Sequence, residues 1–104
     1  MKKFTAQLIK IAHFVLMQED NGDTRKLSHE DLAIALPIYK KMKPYVKKEV
    51  KTLEDGRSLS IYHYRDGEME LDETETSFLI EQLKRPYDLE SAEVAEELKE
   101  LLSN

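Results

Sequence analysis

The chain reads as an α+β fold, a small and mostly helical domain with one antiparallel β-hairpin. Two observations predict this. Apolar residues recur at helical spacing towards both ends of the chain, and residues 57–65 alternate as a strand between the pairs Asp55-Gly56 and Asp66-Gly67. With 104 residues, 36% of them charged and 40% apolar, residues 1–104 are sized for a single domain with a modest core. The absence of cysteine excludes disulfides and thiolate metal sites.

The first helix is expected over residues 3–18, where Phe4, Leu8, Ile11, Ala12 and Val15 form a stripe widened by Ile9 and Leu16. Phe14 and Met17 fall on the far side, where a second element, such as the C-terminal helix, can pack across them. Met1-Lys2-Lys3 before an apolar run imitates a secretory signal. Lys10 and His13 interrupt the run and no small-x-small site follows, so a helix of a cytoplasmic protein is expected. No stretch approaches the roughly 20 apolar residues of a membrane-spanning helix.

Residues 19–27 read as a loop on Asn21-Gly22. Their acidic cluster fails the calcium-loop spacing, because counting back from Gly22 puts Met17 at the first ligand position. Ser28 caps a second helix with Asp31 three residues on, and Leu32, Ala35 and Leu36 form its inner stripe. Pro37 disfavours helical backbone at Leu36, so the helix should end or kink there. A short helical turn over 37–43 would follow, with Ile38, Tyr39 and Met42 inward. His29-Glu30 lacks the second histidine of a zinc-protease motif, since Ala33 stands there.

Pro44 suits the first position of a further helix. Over 45–54, helical spacing gathers Val46, Val50 and Leu53 and leaves Lys47, Lys48 and Lys51 outside, whereas strand alternation would group Lys48 with the valines. A basic helix ended by Gly56 is favoured; a strand, giving a three-stranded meander with helices, is the alternative. The hairpin then spans 57–72. A three-residue loop at 65–67 would put Gly67 in the left-handed region, pair His63 with Met69 and Ile61 with Leu71, and turn Leu59, Ile61, Met69 and Leu71 to the core. Tyr62 and Tyr64 would face outward with Glu68 and Glu70, and His63 would sit at the core edge. Asp72 and Glu75 have capping-box spacing for a helix buried through Phe78, Leu79, Ile80 and Leu83 and stopped at Pro86. The last helix, 89–102, buries Val94, Ala95, Leu98, Leu101 and Leu102 and coats its outside with Glu90, Glu93, Glu96, Glu97 and Glu100.

The net charge of −5 conceals an asymmetry. Seven basic residues between positions 40 and 57 face three acidic ones, and thirteen acidic residues between 66 and 104 face three basic ones. None of the three glycines belongs to a phosphate loop or nucleophile elbow, and His13, His29 and His63 are scattered. No enzyme activity, metal or cofactor is expected.

Leu27-Ser28-His29-Glu30-Asp31-Leu32-Ala33, then Val46, Val50, Leu53 and Gly56, then the 57–72 hairpin, together resemble a winged helix-turn-helix domain. The resemblance implies DNA binding, with Lys47, Lys48 and Lys51 on the inserted helix and 65–67 as wing tip. The nucleic-acid candidates are therefore Lys40, Lys41, Lys43, Lys47, Lys48, Lys51 and Arg65, acting on phosphates because no Arg or Asn is placed to read bases. The competing expectation is a protein-binding or inhibitory module. It would use Tyr62 and Tyr64 on the strand and Glu93 and Glu97 on the acidic C-terminal helix.

Overall fold

The computed structural model describes residues 1–17, 26–84 and 87–104. It is a small α+β domain with the order β1 (Lys2–Phe4), α1 (Ala6–Met17), α2 (His29–Met42), a 3₁₀ turn (Lys43–Tyr45), β2 (Val46–Thr52), β3 (Ser58–Tyr64), β4 (Gly67–Met69), α3 (Glu73–Gln82) and α4 (Leu89–Ser103). The expected loop on Asn21-Gly22 and the helix stop at Pro86 lie outside the described residues. No described helix is long and apolar enough to cross a membrane.

The four helices enclose one apolar cluster. Ile9, Ala12 and Val15 of α1, Ile38 and Met42 of α2, Leu79 of α3 and Leu98 of α4 are all but fully buried in it, together with Leu83 just past α3. Each helix start is tied locally. Ser28 Oγ accepts from the Asp31 amide (3.2 Å), and Asp72 and Glu75 complete the capping box at 2.7 and 2.9 Å. Asp88 accepts from the Ser91 amide at 2.8 Å, and hydrogen bonding to Ser91 holds its carboxyl below the usual carboxylate value.

Of the two outcomes expected at Leu36, an end or a kink, the end does not occur: helix α2 continues through Pro37 to Met42. Proline inside a helix costs about 3 kcal/mol. Continuing the helix buries Ile38 and Met42, worth about 1.5–3 kcal/mol each. Pro37 and Ala33 stand on the exposed side, where water can reach the carbonyl that proline leaves unpaired. The rotation that buries Ile38 and Met42 turns Leu32 and Leu36 of the expected inner stripe towards solvent.

The larger correction concerns residues 45–54, where Val46–Thr52 form strand β2 in place of the expected basic helix. It pairs antiparallel with β3 from Val46↔Tyr64 to Thr52↔Ser58. A lysine among the valines is tolerated because the strand buries only its base: Val46 packs on the core, while Val50 is 58% exposed. The turn is closed by the Gly56 amide donating to the Leu53 carbonyl (3.0 Å) and the Leu53 amide to the Arg57 carbonyl (2.7 Å), with Gly56 at φ 85°. The three-residue loop with a left-handed glycine expected at 65–67 thus belongs to 54–56.

Gly67 is not left-handed, and β4 does not pair with β3. Instead β4 pairs with β1, a short strand where helix was expected, through Lys2↔Met69, Lys3↔Glu68 and Phe4↔Gly67. The chain is pulled away from β3 at Arg65, whose amide donates to the Tyr45 carbonyl (3.1 Å) and whose guanidinium holds the Pro44 carbonyl at 2.8 and 3.2 Å. Asp66 then accepts from the Ala6 amide at the start of α1 (2.7 Å), and the Tyr45 ring lies on Gly67. Met69 is buried and Leu71 half-buried, as expected, but Leu59 is 47% exposed and Ile61 faces away from the helices' side of the ribbon.

Candidate functional site

Strands β2 and β3 make a two-stranded ribbon, seven residues per strand and roughly 20 Å long. Its base rests on the helices and its outer half does not: every residue from Val50 to Ser60 is exposed. The molecule is correspondingly elongated, 47 Å against 29 and 28 Å.

The pairing sorts the side chains into two faces. Val46, Lys48, Val50, Tyr62 and Tyr64 share the inner face, and Lys47, Glu49, Lys51, Leu59, Ile61 and His63 the outer one. On the outer face His63 Nε2 lies 2.9 Å from Glu49 Oε2, so His63 works on an exposed surface and not at a core edge. On the inner face Tyr64 packs against the core, and its hydroxyl meets Nδ1 of His13 at 3.1 Å. Tyr62 and Tyr64 therefore face the helices and do not share an outer patch with Glu68 and Glu70.

His13 is a buried residue, 4% exposed, and burial lowers its pKa from the usual imidazole value. Its ring stands 4.9 Å from Tyr62, 5.5 Å from Tyr64 and 6.4 Å from Tyr39, centre to centre. In the sequence His13 stands as an interruption of an apolar run and as one of three scattered histidines. Its partners lie 26, 49 and 51 positions away, so no local signal announces the cluster. Burial and the neighbouring Tyr62 push the Tyr64 phenol up.

The candidate cations divide into two groups. Lys41 is bound within the fold: its ammonium lies 2.6 Å from Oε1 of the buried Glu75 and donates to the Glu70 carbonyl at 2.9 Å. Arg65 is bound too, stacked 5.5 Å over the Tyr45 ring. Lys40, Lys43, Lys47, Lys48 and Lys51 are exposed, and among the described residues none has an ion pair. Lys48 reaches the Tyr62 ring at 6.0 Å, and Arg57 at the ribbon tip is paired with Asp55. From 40 to 65 there are eight basic and three acidic residues, which leaves a net +5 here against −10 in the remaining chain.

The opposite charge lies on α4, where Glu93 and Glu97 are exposed and Glu96 pairs with Lys99 at 3.0 Å. Phe14 meets Tyr87 across the start of α4 (6.5 Å). Among the described residues no three acidic or histidine side chains converge as metal ligands. No family model, curated protein or solved structure matches the chain.

Proposed function

We infer that the protein is a non-enzymatic small binding protein that grips nucleic acid through the β2–β3 ribbon. The observation that carries this is the set of five exposed lysines, without an ion pair among the described residues, on α2 (Lys40), the 3₁₀ turn (Lys43) and strand β2 (Lys47, Lys48, Lys51) of a chain otherwise acidic. Lysines gain affinity by releasing counterions from phosphates, whichever form of the polymer carries them. The acidic remainder repels the same polymer, which restricts contact to the arm. Lys47, Lys48 and Lys51, which the winged-helix resemblance would put on an inserted helix, stand on strand β2.

The test is a titration of a fluorescent DNA oligonucleotide across salt concentrations. Affinity should fall steeply as salt rises, and Lys47→Glu with Lys51→Glu, both on the exposed outer face, should reduce it at least tenfold. The salt slope should drop by about 0.7–0.9 for each lost phosphate contact. Absence of binding at low salt, or affinity unchanged by the double reversal, removes the proposal.

One observation favours a protein partner as a second reading: Val50, Leu53 and Leu59 expose apolar surface on the outer half of the ribbon. Binding of that kind would be nearly indifferent to salt and lost on Leu59→Ser.

A further inference from the structure

Where the ribbon leaves the helices there is a notch of about 360 Å³, walled by His13, Tyr39 and Met42 on one side and by Tyr62 and Lys48 on the other, with Lys43 at the edge. We propose that this notch takes one unstacked base of a single-stranded nucleic acid, with the flanking phosphates on Lys43 and Lys48. The proposal rests on the reading of the ribbon as the nucleic-acid-binding arm and adds which form of the polymer it holds.

Three features of the notch meet the chemistry of a base. Its volume lies at the lower end of the range for small-ligand sites, suited to a single flat heterocycle. Its lining is aromatic: the rings of Tyr62 and Tyr39 stand 4.9 and 6.4 Å from that of His13. Aromatic faces bind bases of any sequence by stacking, worth about 1–3 kcal/mol per base. The floor is polar. Tyr64 occupies Nδ1 of His13, and among the described residues Nε2 has no hydrogen-bond partner. In the tautomer in which the Tyr64 hydroxyl donates to Nδ1, the neutral ring carries its proton on Nε2 and can offer it to the edge of a base.

The two lysines make the notch specific for a base that carries phosphates. Lys48 already lies over Tyr62 at 6.0 Å, so a base stacked there would bring its backbone to the ammonium. Lys43 sits in the 3₁₀ turn that joins α2 to β2, at the other end of the opening. A base held in a duplex cannot reach into such a recess without leaving its stack, which costs a few kcal/mol. A single strand has no such cost, and its backbone can continue along the ribbon past Lys47 and Lys51.

The experiment compares four probes with the unaltered protein by fluorescence anisotropy at low salt: oligo(dT), a strand of equal length with every base removed, a duplex of the same length, and free thymidine monophosphate as competitor. Oligo(dT) should bind about 5- to 150-fold more tightly than the abasic strand, which corresponds to one stacked base, and more tightly than the duplex. Tyr62→Leu should abolish that preference and Tyr62→Phe restore it, with circular dichroism confirming that both variants are folded. Equal affinity for the abasic strand and oligo(dT) overturns the base site. If the Lys47/Lys51 reversal still weakens both strands, the arm remains a phosphate-binding element and only the notch is rejected. Thymidine monophosphate competing as well as the strand also overturns the proposal, by making the notch a nucleotide site. If none of the probes binds, the reading of the arm falls with it.

Discussion

The helical body and the β2–β3 ribbon use the same alphabet under different constraints. In the body every helix presents an apolar stripe to a shared cluster, and the stripe fixes its rotation: Ile38 and Met42 turn inward even though Pro37 lies beside them. From Val50 to Ser60 every residue of the ribbon is exposed. The ribbon is held by its ladder and, nearer its base, by modest contacts such as Glu49 with His63 and Lys48 with Tyr62, the kind worth about 0.2–1 kcal/mol each. A hairpin of that sort is marginal alone and persists because its base is anchored by Val46 and Tyr64. The difference separates stability from surface: the body can lose little, and the arm is free to vary its side chains for binding.

Truncation in the two regions should expose this contrast most strongly. Ile38→Ala removes a side chain with no exposed surface and is expected to cost about 2–5 kcal/mol in denaturant unfolding. Leu59→Ser on the ribbon should stay within about 0.5 kcal/mol. A comparable loss from Leu59→Ser would mean that the outer half of the ribbon is covered after all, and the arm would cease to be a free surface.

The same contrast explains what was legible in the sequence. In α4 periodicity reported burial correctly, with Ala95, Leu98 and Leu102 inside as the spacing requires, and the Asp72–Glu75 capping box forms as written, whereas in α2 the expected inner residues Leu32 and Leu36 are exposed. Where burial is absent, periodicity carries no information. Val46, Val50 and Leu53 happen to match helical spacing, but only Val46 meets the core, so the pattern in 45–54 pointed to the wrong element. The two Asp-Gly pairs were equivalent by local chemistry. Tertiary contacts decide between them, since Gly56 faces open space at φ 85° and Gly67 lies under a ring. Five exposed lysines of the candidate site were on the expected roster, while His13 and Tyr39 were not, because long-range folding alone brings them to the notch.

The two glycines give a second and smaller test. A Cβ on Gly67 would stand 2.6 Å from three carbons of the Tyr45 ring, so Gly67→Ala should force the ring aside at a cost of about 1–3 kcal/mol. Combining it with Tyr45→Ala should cost less than the sum of the two single changes, because the obstructing ring is gone. Gly56→Ala meets no neighbour but must hold an alanine in the left-handed region, a penalty of about 1–2 kcal/mol. That penalty falls on the tip of the arm, so hydrogen exchange should quicken in β2 and β3 while the helices keep their protection. Uniform loss of protection in the Gly56→Ala protein would show that arm and body unfold as one unit.

Acidity tests the joint between the two regions, with the smallest expected effect. His13 lies under the inner face of the ribbon, bonded to Tyr64 and flanked by Tyr39 and Tyr62, and Lys43 and Lys48 line the same recess. Burial disfavours its imidazolium, so its pKa in the folded chain is below the usual 6.5. In the unfolded chain it takes up a proton at the ordinary value. Between those two values the unfolded state binds more protons, and stability must decline as pH falls. The contribution is whole above the unfolded pKa and lost progressively as pH drops towards the folded one. Carboxylates titrate as the pH falls further, so the measurement is the difference in melting temperature between the wild type and His13→Asn across that window. Asparagine does not titrate but can still bond the Tyr64 hydroxyl. The wild type should lose stability faster than the variant on descending through pH 6.5, and the extra loss should be accompanied by release of β3 from α1 in hydrogen exchange. Parallel curves would mean that His13 can charge without disturbing the notch, and the joint would then be held by Tyr64 packing alone.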